Sequence, residues 1–268
     1  MPELAEVAFA CRQWDIGLGK FIKKVHVHPK SRVFRDLSRK QLVRELTGAK
    51  LLSSSTHGKQ MLFQLSGNRW LGLHLGMTGN LTSDTPSYTC QKHDALVIFQ
   101  SCKVLVFRDP RQFGRLRLHI GTIPPEWWAN LPVSMLDPEF TLSFLLKACE
   151  RHAKRPMKAL LLDQRYFQGM GNWMADEVLW RAGIHPALRA GQMSREQTLK
   201  IFNQIKFVAR GAMKSVGEHG GDPPRGWLFH VRWKDGGYCP KAKIPLVREE
   251  IGGRTSCWCP TLQKLSYD

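Results

Sequence analysis

The chain has 268 residues, 43% hydrophobic and 23% charged. This composition is ordinary for a globular protein and excludes collagen-like, coiled-coil and wholly disordered chains. Lys and Arg number 40 against 22 Asp and Glu, a net charge of +18, which points to polyanionic partners: nucleic acid first, acidic membrane surfaces second. At about 150 residues per domain the prior is one or two domains, with a core large enough to need no disulfides. Apolar residues recur at helical spacing from Leu4 to about Ile16, which predicts a helix. Short β-like runs follow at Gln60–Leu65, Trp70–Leu75, Ala95–Gln100, Val104–Arg108 and Gly114–Ile120. Turn residues such as Ser66-Gly67-Asn68 and the polar stretch Thr82–Thr89 separate them, and runs so punctuated predict an antiparallel sandwich or barrel. Beyond the Pro-rich stretch from Ile123 to Pro138, helices are predicted over Phe140–Glu150, Met157–Leu162, Met174–Ala182 and Arg195–Val216. Ser194 with Gln197 makes a capping box for the last of these. Gly220 to Pro224 reads as a loop, and Trp227–Lys264 as a β-hairpin element. The fold class is α+β: an N-terminal helix plus antiparallel β-sandwich domain at 1–122, a linker at 123–136, a helical domain at 137–226 and an appended hairpin at 227–268.

No stretch approaches 18 uninterrupted apolar residues, so no membrane span is expected. Pro2, Glu3 and Glu6 open the chain where a secretory signal would be basic and then apolar, so the protein is not expected to be secreted. The odd count of seven cysteines argues for a reducing compartment and against a disulfide framework. Cys11, Cys90, Cys102 and Cys149 are scattered and read as buried thiols; Cys239, Cys257 and Cys259 cluster near the C-terminus.

Two features carry chemistry. Removal of Met1 would leave Pro2 with a free secondary amine, which can attack an electrophilic sugar carbon and form an iminium adduct, and the adjacent Glu3 could act as general acid or base. The plainer account of Pro2 is a helix start. Gly169-Met170-Gly171-Asn172 lies between two predicted helices, where glycines let a backbone approach closely and expose the next helix N-terminus to a phosphate. The plainer account there is a simple connector.

These residues belong to a larger pattern. Met1-Pro2-Glu3-Leu4-Ala5-Glu6-Val7, Leu75-Gly76-Met77-Thr78-Gly79, Asp109-Pro110-Arg111-Gln112-Phe113-Gly114, the stretch from Leu161 through Gly169-Met170-Gly171-Asn172 to Ile184-His185-Pro186, and Gly253-Arg254-Thr255 occur in that order. Together they resemble the blocks of the formamidopyrimidine-DNA glycosylase / endonuclease VIII family over essentially the whole chain. The resemblance implies a helix–two-turn–helix domain and a C-terminal finger. It also implies a bifunctional base-excision-repair enzyme that removes oxidised bases from damaged double-stranded DNA and cleaves the abasic site by β,δ-elimination through a proline Schiff base. Pro2 would be the nucleophile at C1′, Glu3 would protonate the opening deoxyribose ring, and Glu6 would arrange the amine and the flipped nucleoside. Lys59 would contact the phosphate beside the lesion. Lys158 and Asn172 would hold backbone phosphates, and Arg254 would grip those flanking the flipped nucleotide. Met77, Arg111 and Phe113 would fill the void in the stack, the apolar pair as wedges and the guanidinium as partner to the orphaned base; for Met77 and Phe113 the plainer account is core packing. This full trio looks more like the formamidopyrimidine branch.

Three positions depart from the family pattern. Ala5 stands where proline is usual. The loop from Gly220 to Phe229 is short for an oxoguanine-capping loop, which puts that preference in doubt. The finger keeps Cys239 and Cys259, 20 positions apart as first and third zinc ligands, but has Ala242 and Leu262 at the second and fourth. Two thiolates cannot close a tetrahedral site. The expectation is therefore no cofactor: a zinc-less finger in which Ala242 and Leu262 face each other. The alternative ligand set is Cys239, Cys257, Cys259 and a histidine such as His230. Two rival readings stay open. One is a catalytically reduced homologue that binds lesions or abasic DNA; the other is a basic protein that binds RNA or a membrane surface. A monomer is expected, in the cytoplasm or nucleoid of a bacterium, or the nucleus or an organelle of a eukaryote.

Overall fold

A computed structural model describes residues 1–265. The chain divides into two compact units: Met1–Pro2 with Glu6–Leu131, and Glu3–Ala5 with the described residues from Pro132 onward. Among the described residues, no helix is long and apolar enough to cross a membrane.

The first unit is built on two four-stranded antiparallel sheets. Helix α1 (Leu4–Arg12) leads into β1 (Lys24–Val27), α2 (Arg39–Leu46), β2 (Leu51–His57), β3 (Gln60–Leu65), β4 (Arg69–His74), β5 (Asn80–Asp84), β6 (Asp94–Phe99), β7 (Val104–Arg108), β8 (Arg115–Ile120) and the short α3 (Glu126–Ala129). One sheet has the order β1-β6-β7-β5, the other β2-β3-β4-β8. Side chains that alternate inward from both, among them Phe63, Leu71 and Leu73 from one and Leu96, Leu105 and Phe107 from the other, share one buried core, as in a sandwich. Trp14 lies in it with its ring 5.0 Å from Phe63, and its indole N–H donates to the Thr82 carbonyl at 3.2 Å. The helix expected to reach Ile16 ends at Arg12, and a 3-10 turn at Asp15–Gly17 continues it.

The second unit is helical: α4 (Leu142–Arg151), α5 (Met157–Leu161), α6 (Asn172–Ala182) and α7 (Arg195–Ala212), then the hairpin β9 (Val247–Ile251) and β10 (Arg254–Trp258). Ser194 and Gln197 close the expected capping box on α7. A π-turn over Met213–Gly217 follows α7, short of the single helix expected to Val216. The stretch expected to be a linker is structured. In the first unit, the Trp127 indole covers Gly72, where any Cβ would clash with it; in the second, Met135 is fully buried in the helical core.

Candidate functional site

Glu3 is 2% exposed and reaches the start of α6, a helix whose first N–H groups have no partner within the helix. Its Oε1 accepts from the Trp173 N–H at 2.9 Å and its Oε2 from the Met174 N–H at 3.1 Å. The positive end of the helix thus fixes the carboxylate that follows Pro2. Gly171 makes this approach possible, since a Cβ there would overlap the Glu3 carboxyl group. Gly169 has φ +97°, a left-handed conformation suited to glycine, and its carbonyl accepts from the Leu4 N–H at 3.0 Å. Gln164 staples this turn from inside, donating to the Met170 carbonyl at 2.8 Å and accepting from the Gly169 N–H at 3.1 Å. Pro2 and Glu6 are half-buried, and Met1 is 55% exposed.

Lys158 does not lie where a phosphate contact requires. It is 0% exposed, and its Nζ donates to the Asn172 carbonyl at 2.7 Å and to Asp176 Oδ1 at 2.5 Å. A desolvated ammonium needs such a partner, so Lys158 is part of a buried ion cluster and is not presented to a ligand. Arg232, 4% exposed, completes the cluster with Nε and Nη2 at 3.1 and 2.5 Å from Asp176 Oδ2, which also accepts from the Cys257 N–H at 3.1 Å. Asp176 thereby joins α5, α6, the segment after the 3-10 turn at Leu228–His230, and β10. Its neighbour Glu177 accepts from Arg181 Nε at 2.6 Å and from the Phe229 N–H at 3.2 Å. Sequence reading missed both roles, although an Asp-Glu pair on an otherwise apolar helix is a signal of buried ion pairing.

The same unit brings Asn172 and the Arg254 hairpin together, as Asn172 Nδ2 donates to the Thr255 carbonyl at 2.9 Å. Arg254 itself is exposed at the hairpin tip, beside Gly252 and Gly253 with φ of +63° and +78°. Two consecutive left-handed residues match the tight two-residue turn that suits the strand twist.

In the first unit, Met77, Arg111 and Phe113 are exposed on two adjoining loops, against the alternative of core packing. The Arg111 guanidinium lies 5.1 Å from the Phe113 ring centroid. Buried Asp109 clamps both loops: Oδ1 accepts from Thr78 Oγ1 at 3.1 Å and Oδ2 from the Gly114 N–H at 2.6 Å, while Thr78 Oγ1 accepts from the Arg111 N–H at 3.3 Å. A Cβ at Gly76, which has φ +67°, would strike the Phe113 backbone. Large apolar side chains are thus held out in solvent on a rigid base. Lys59, 8% exposed, occupies the β2–β3 turn after Gly58 (φ +58°). His74, just ahead of the Leu75–Gly79 block, was overlooked. Burial first, then Lys59, Arg117 and Arg35, pushes its pKa down to about 4. The ring is therefore neutral at pH 7, with Nδ1 accepting from the Gly76 N–H at 3.0 Å and Nε2 carrying the proton.

Comparison with known proteins agrees with these two halves. The formamidopyrimidine-DNA glycosylase N-terminal domain profile matches residues 1–116, and the formamidopyrimidine-DNA glycosylase H2TH domain profile matches residues 131–220. The formamidopyrimidine-DNA glycosylase of Carboxydothermus hydrogenoformans is 32% identical over 279 residues, spanning 98% of this chain and 100% of the relative. The chain belongs to the formamidopyrimidine-DNA glycosylase family. The Arabidopsis thaliana formamidopyrimidine-DNA glycosylase is likewise 32% identical, over 99% of this chain and 71% of its own length. Among solved structures, the wild-type Lactococcus lactis Fpg (MutM) in complex with DNA containing an oxidized pyrimidine has a TM-score of 0.88 and 25% identity, over 98% of this chain and all of that one. The Lactococcus lactis enzyme non-covalently bound to DNA containing an AP site has a TM-score of 0.86, with the same identity and coverage.

The finger packs around a small core of its own. Trp180, Leu228, Cys239, Cys257 and Cys259 form its small core, with Val231, Ala242, Ile244 and Leu246 packed against it. Ala242 therefore faces inward as expected, but Leu262 does not: it is 37% exposed. The turn after Cys259 rotates it outward and brings in Gln263, which is fully buried, accepts from the Cys259 N–H at 2.8 Å and donates to the Ile184 carbonyl at 2.8 Å. Cys239 Sγ accepts from Trp180 Nε1 and from the Ala242 N–H, both at 3.3 Å. Burial and Asp176 push the Cys257 thiol up to about 11, and His230 Nε2 lies 2.8 Å from the Pro223 carbonyl. Among the described residues, no three His, Cys, Asp or Glu side chains are grouped so that they could hold a metal.

Proposed function

We propose that this protein is a DNA glycosylase and AP lyase that removes oxidised bases from duplex DNA. The observation that carries the reading is the Glu3 carboxylate, buried directly after Pro2 and held by two backbone N–H groups at the start of α6. With Met1 removed, the Pro2 amine attacks C1′ of the damaged nucleotide and the C1′–base bond breaks. The Glu3 carboxylate takes the proton that the Pro2 nitrogen loses and delivers it to the ring oxygen as the sugar opens to an iminium ion. β-Elimination then expels the 3′ phosphate, δ-elimination expels the 5′ phosphate, and hydrolysis frees the proline. A base must leave the stack before this chemistry, at a cost of a few kcal/mol. The Met77, Arg111 and Phe113 loops supply groups that can occupy the gap, while Lys59, Asn172 and Arg254 are assigned to backbone phosphates.

Borohydride trapping on abasic duplex DNA tests the covalent step. Protein whose intact mass lacks Met1 is expected to give a stable adduct, and a form that retains Met1 to give none, because its Pro2 nitrogen is an amide. Met1-free protein that binds abasic DNA tightly yet gives no adduct would replace this reading with the binding homologue.

We further infer that the finger carries no zinc. Its two ribbon-position thiols stand opposite Ala242 and an outward-facing Leu262, and Cys239 Sγ already accepts two N–H donors. Such a finger should keep DNA binding unchanged after dialysis against a strong chelator. One stoichiometric zinc in purified protein would overturn the inference.

A further inference from the structure

The first unit contains a pocket of about 280 Å³ whose walls include Arg35, His74, Phe113, Arg115, Arg117 and Trp127. It lies on the outer face of the β2-β3-β4-β8 sheet. The pairing of β4 with β8 sets Arg115 opposite His74 and Arg117 opposite Gly72, so both arginines project from the same face. Gly72 leaves room for the Trp127 indole to rest on the sheet, and the Arg117 guanidinium carbon sits 4.5 Å from that ring's centroid. A cation on an indole face is held in place and oriented while its edge stays open to a ligand.

The charges in this pocket are unbalanced. Asp36 is the acidic partner found here, 2.7 Å from Arg115 Nη2 and 3.9 Å from Arg35 Nε, and its side chain is 51% exposed. Arg35 also donates from Nη1 to the Gly114 carbonyl at 3.1 Å. Arg115 Nε is buried without a hydrogen-bond partner. Burial first, and then the neighbouring Arg115, lower the pKa of Arg117. Three guanidinium groups against one carboxylate, with an unfilled donor, form a site that wants an anion. Its rim is Phe113, in the loop that carries the proposed stacking wedge.

We propose that this pocket binds a phosphate group of the DNA backbone next to the Phe113 wedge, with Arg115 and Arg117 as its donors and Trp127 as the platform that orients Arg117. This rests on the DNA-glycosylase reading above, to which it adds a contact beyond Lys59, Asn172 and Arg254. The contact carries no base information, so it should strengthen binding to damaged and undamaged duplex alike.

The test is the salt dependence of duplex binding by the full chain. The R115Q/R117Q variant should bind both duplexes about tenfold more weakly, and the slope of log K against log salt should fall by about 0.9 for each phosphate lost. K103Q, at the opposite end of β7 from the Phe113 loop, removes one positive charge and should leave the slope unchanged. R117M, which keeps apolar packing on Trp127, gives the same reading if the double variant fails to fold. An unchanged slope in a folded variant, while wild type excises normally, overturns the pocket assignment alone. Wild type that neither excises nor traps overturns the glycosylase reading itself. Calorimetry with inorganic phosphate separates the two sources of the anion: heat lost in the variant with no change in DNA slope would assign the pocket to free phosphate and overturn the DNA assignment.

Discussion

Glu3→Gln will abolish base excision and leave abasic-duplex binding within about threefold. The glutamine is nearly isosteric, so the N-terminal turn keeps its shape. What changes is the proton inventory. A carboxylic acid can deliver a proton to the ring oxygen, and an amide cannot; losing a placed general acid costs about 10²–10⁴ in rate. The amide also turns one N–H group toward either the Trp173 or the Met174 N–H, both of which the carboxylate now satisfies. That mismatch should cost about 1–3 kcal/mol of stability. Single-turnover excision beside a binding titration separates the two effects. Normal cleavage by the variant would show that another group supplies the proton.

The second large effect is expected at Asp176, far from any reacting atom in the sequence. Asp176→Ala leaves Lys158 and Arg232, 0% and 4% exposed, without their shared counter-charge. Removing one member of a buried ion cluster costs about 3–5 kcal/mol, a large share of the roughly 5–15 kcal/mol that holds a domain together. Calorimetry should show the melting temperature falling by on the order of 10 °C. The Cys257 N–H loses its acceptor as well, so the hairpin bearing Arg254 should exchange its amide hydrogens faster than the body of α7 does. Asp176→Asn, which keeps an acceptor for Cys257, should recover part of the loss. A variant that melts like wild type would mean the cluster relaxes by admitting water.

The sequence patterns located the interior of this fold better than its margins. β3 and β7 agree residue for residue with their expected ranges, and β4, β6 and β8 to within one residue at each end. The three strands that were missed, β1, β2 and β5, all lie at sheet edges. Edge strands are kept polar, and β2, with Ser53, Ser54, Ser55 and Thr56, has no apolar alternation to read. Its pairing with β3 and the Ser54 hydrogen bond to Asp15 decide its structure, and both are tertiary. The site shows the same division. Exposed Met77, Arg111 and Phe113 could be placed by motif, whereas the clamp beneath them, Asp109, is defined by contacts across the loops. Lys158 was misjudged because a lysine looks the same in sequence whether it meets a phosphate or a buried aspartate.

The tether of Glu3 to α6 also has a consequence in time. Its two hydrogen bonds join residues 170 and 171 positions apart, which a ribosome working at about 5–20 residues per second needs roughly 10–30 s to span. Throughout that interval the nascent N-terminus has no seat. Met1, still 55% exposed after folding, can be trimmed while the rest of the chain is being made. Under the mechanism proposed above, an amine unmasked early would meet a fixed acid only once the helical half emerges, so an incomplete chain would not attack an aldehyde with the pair assembled.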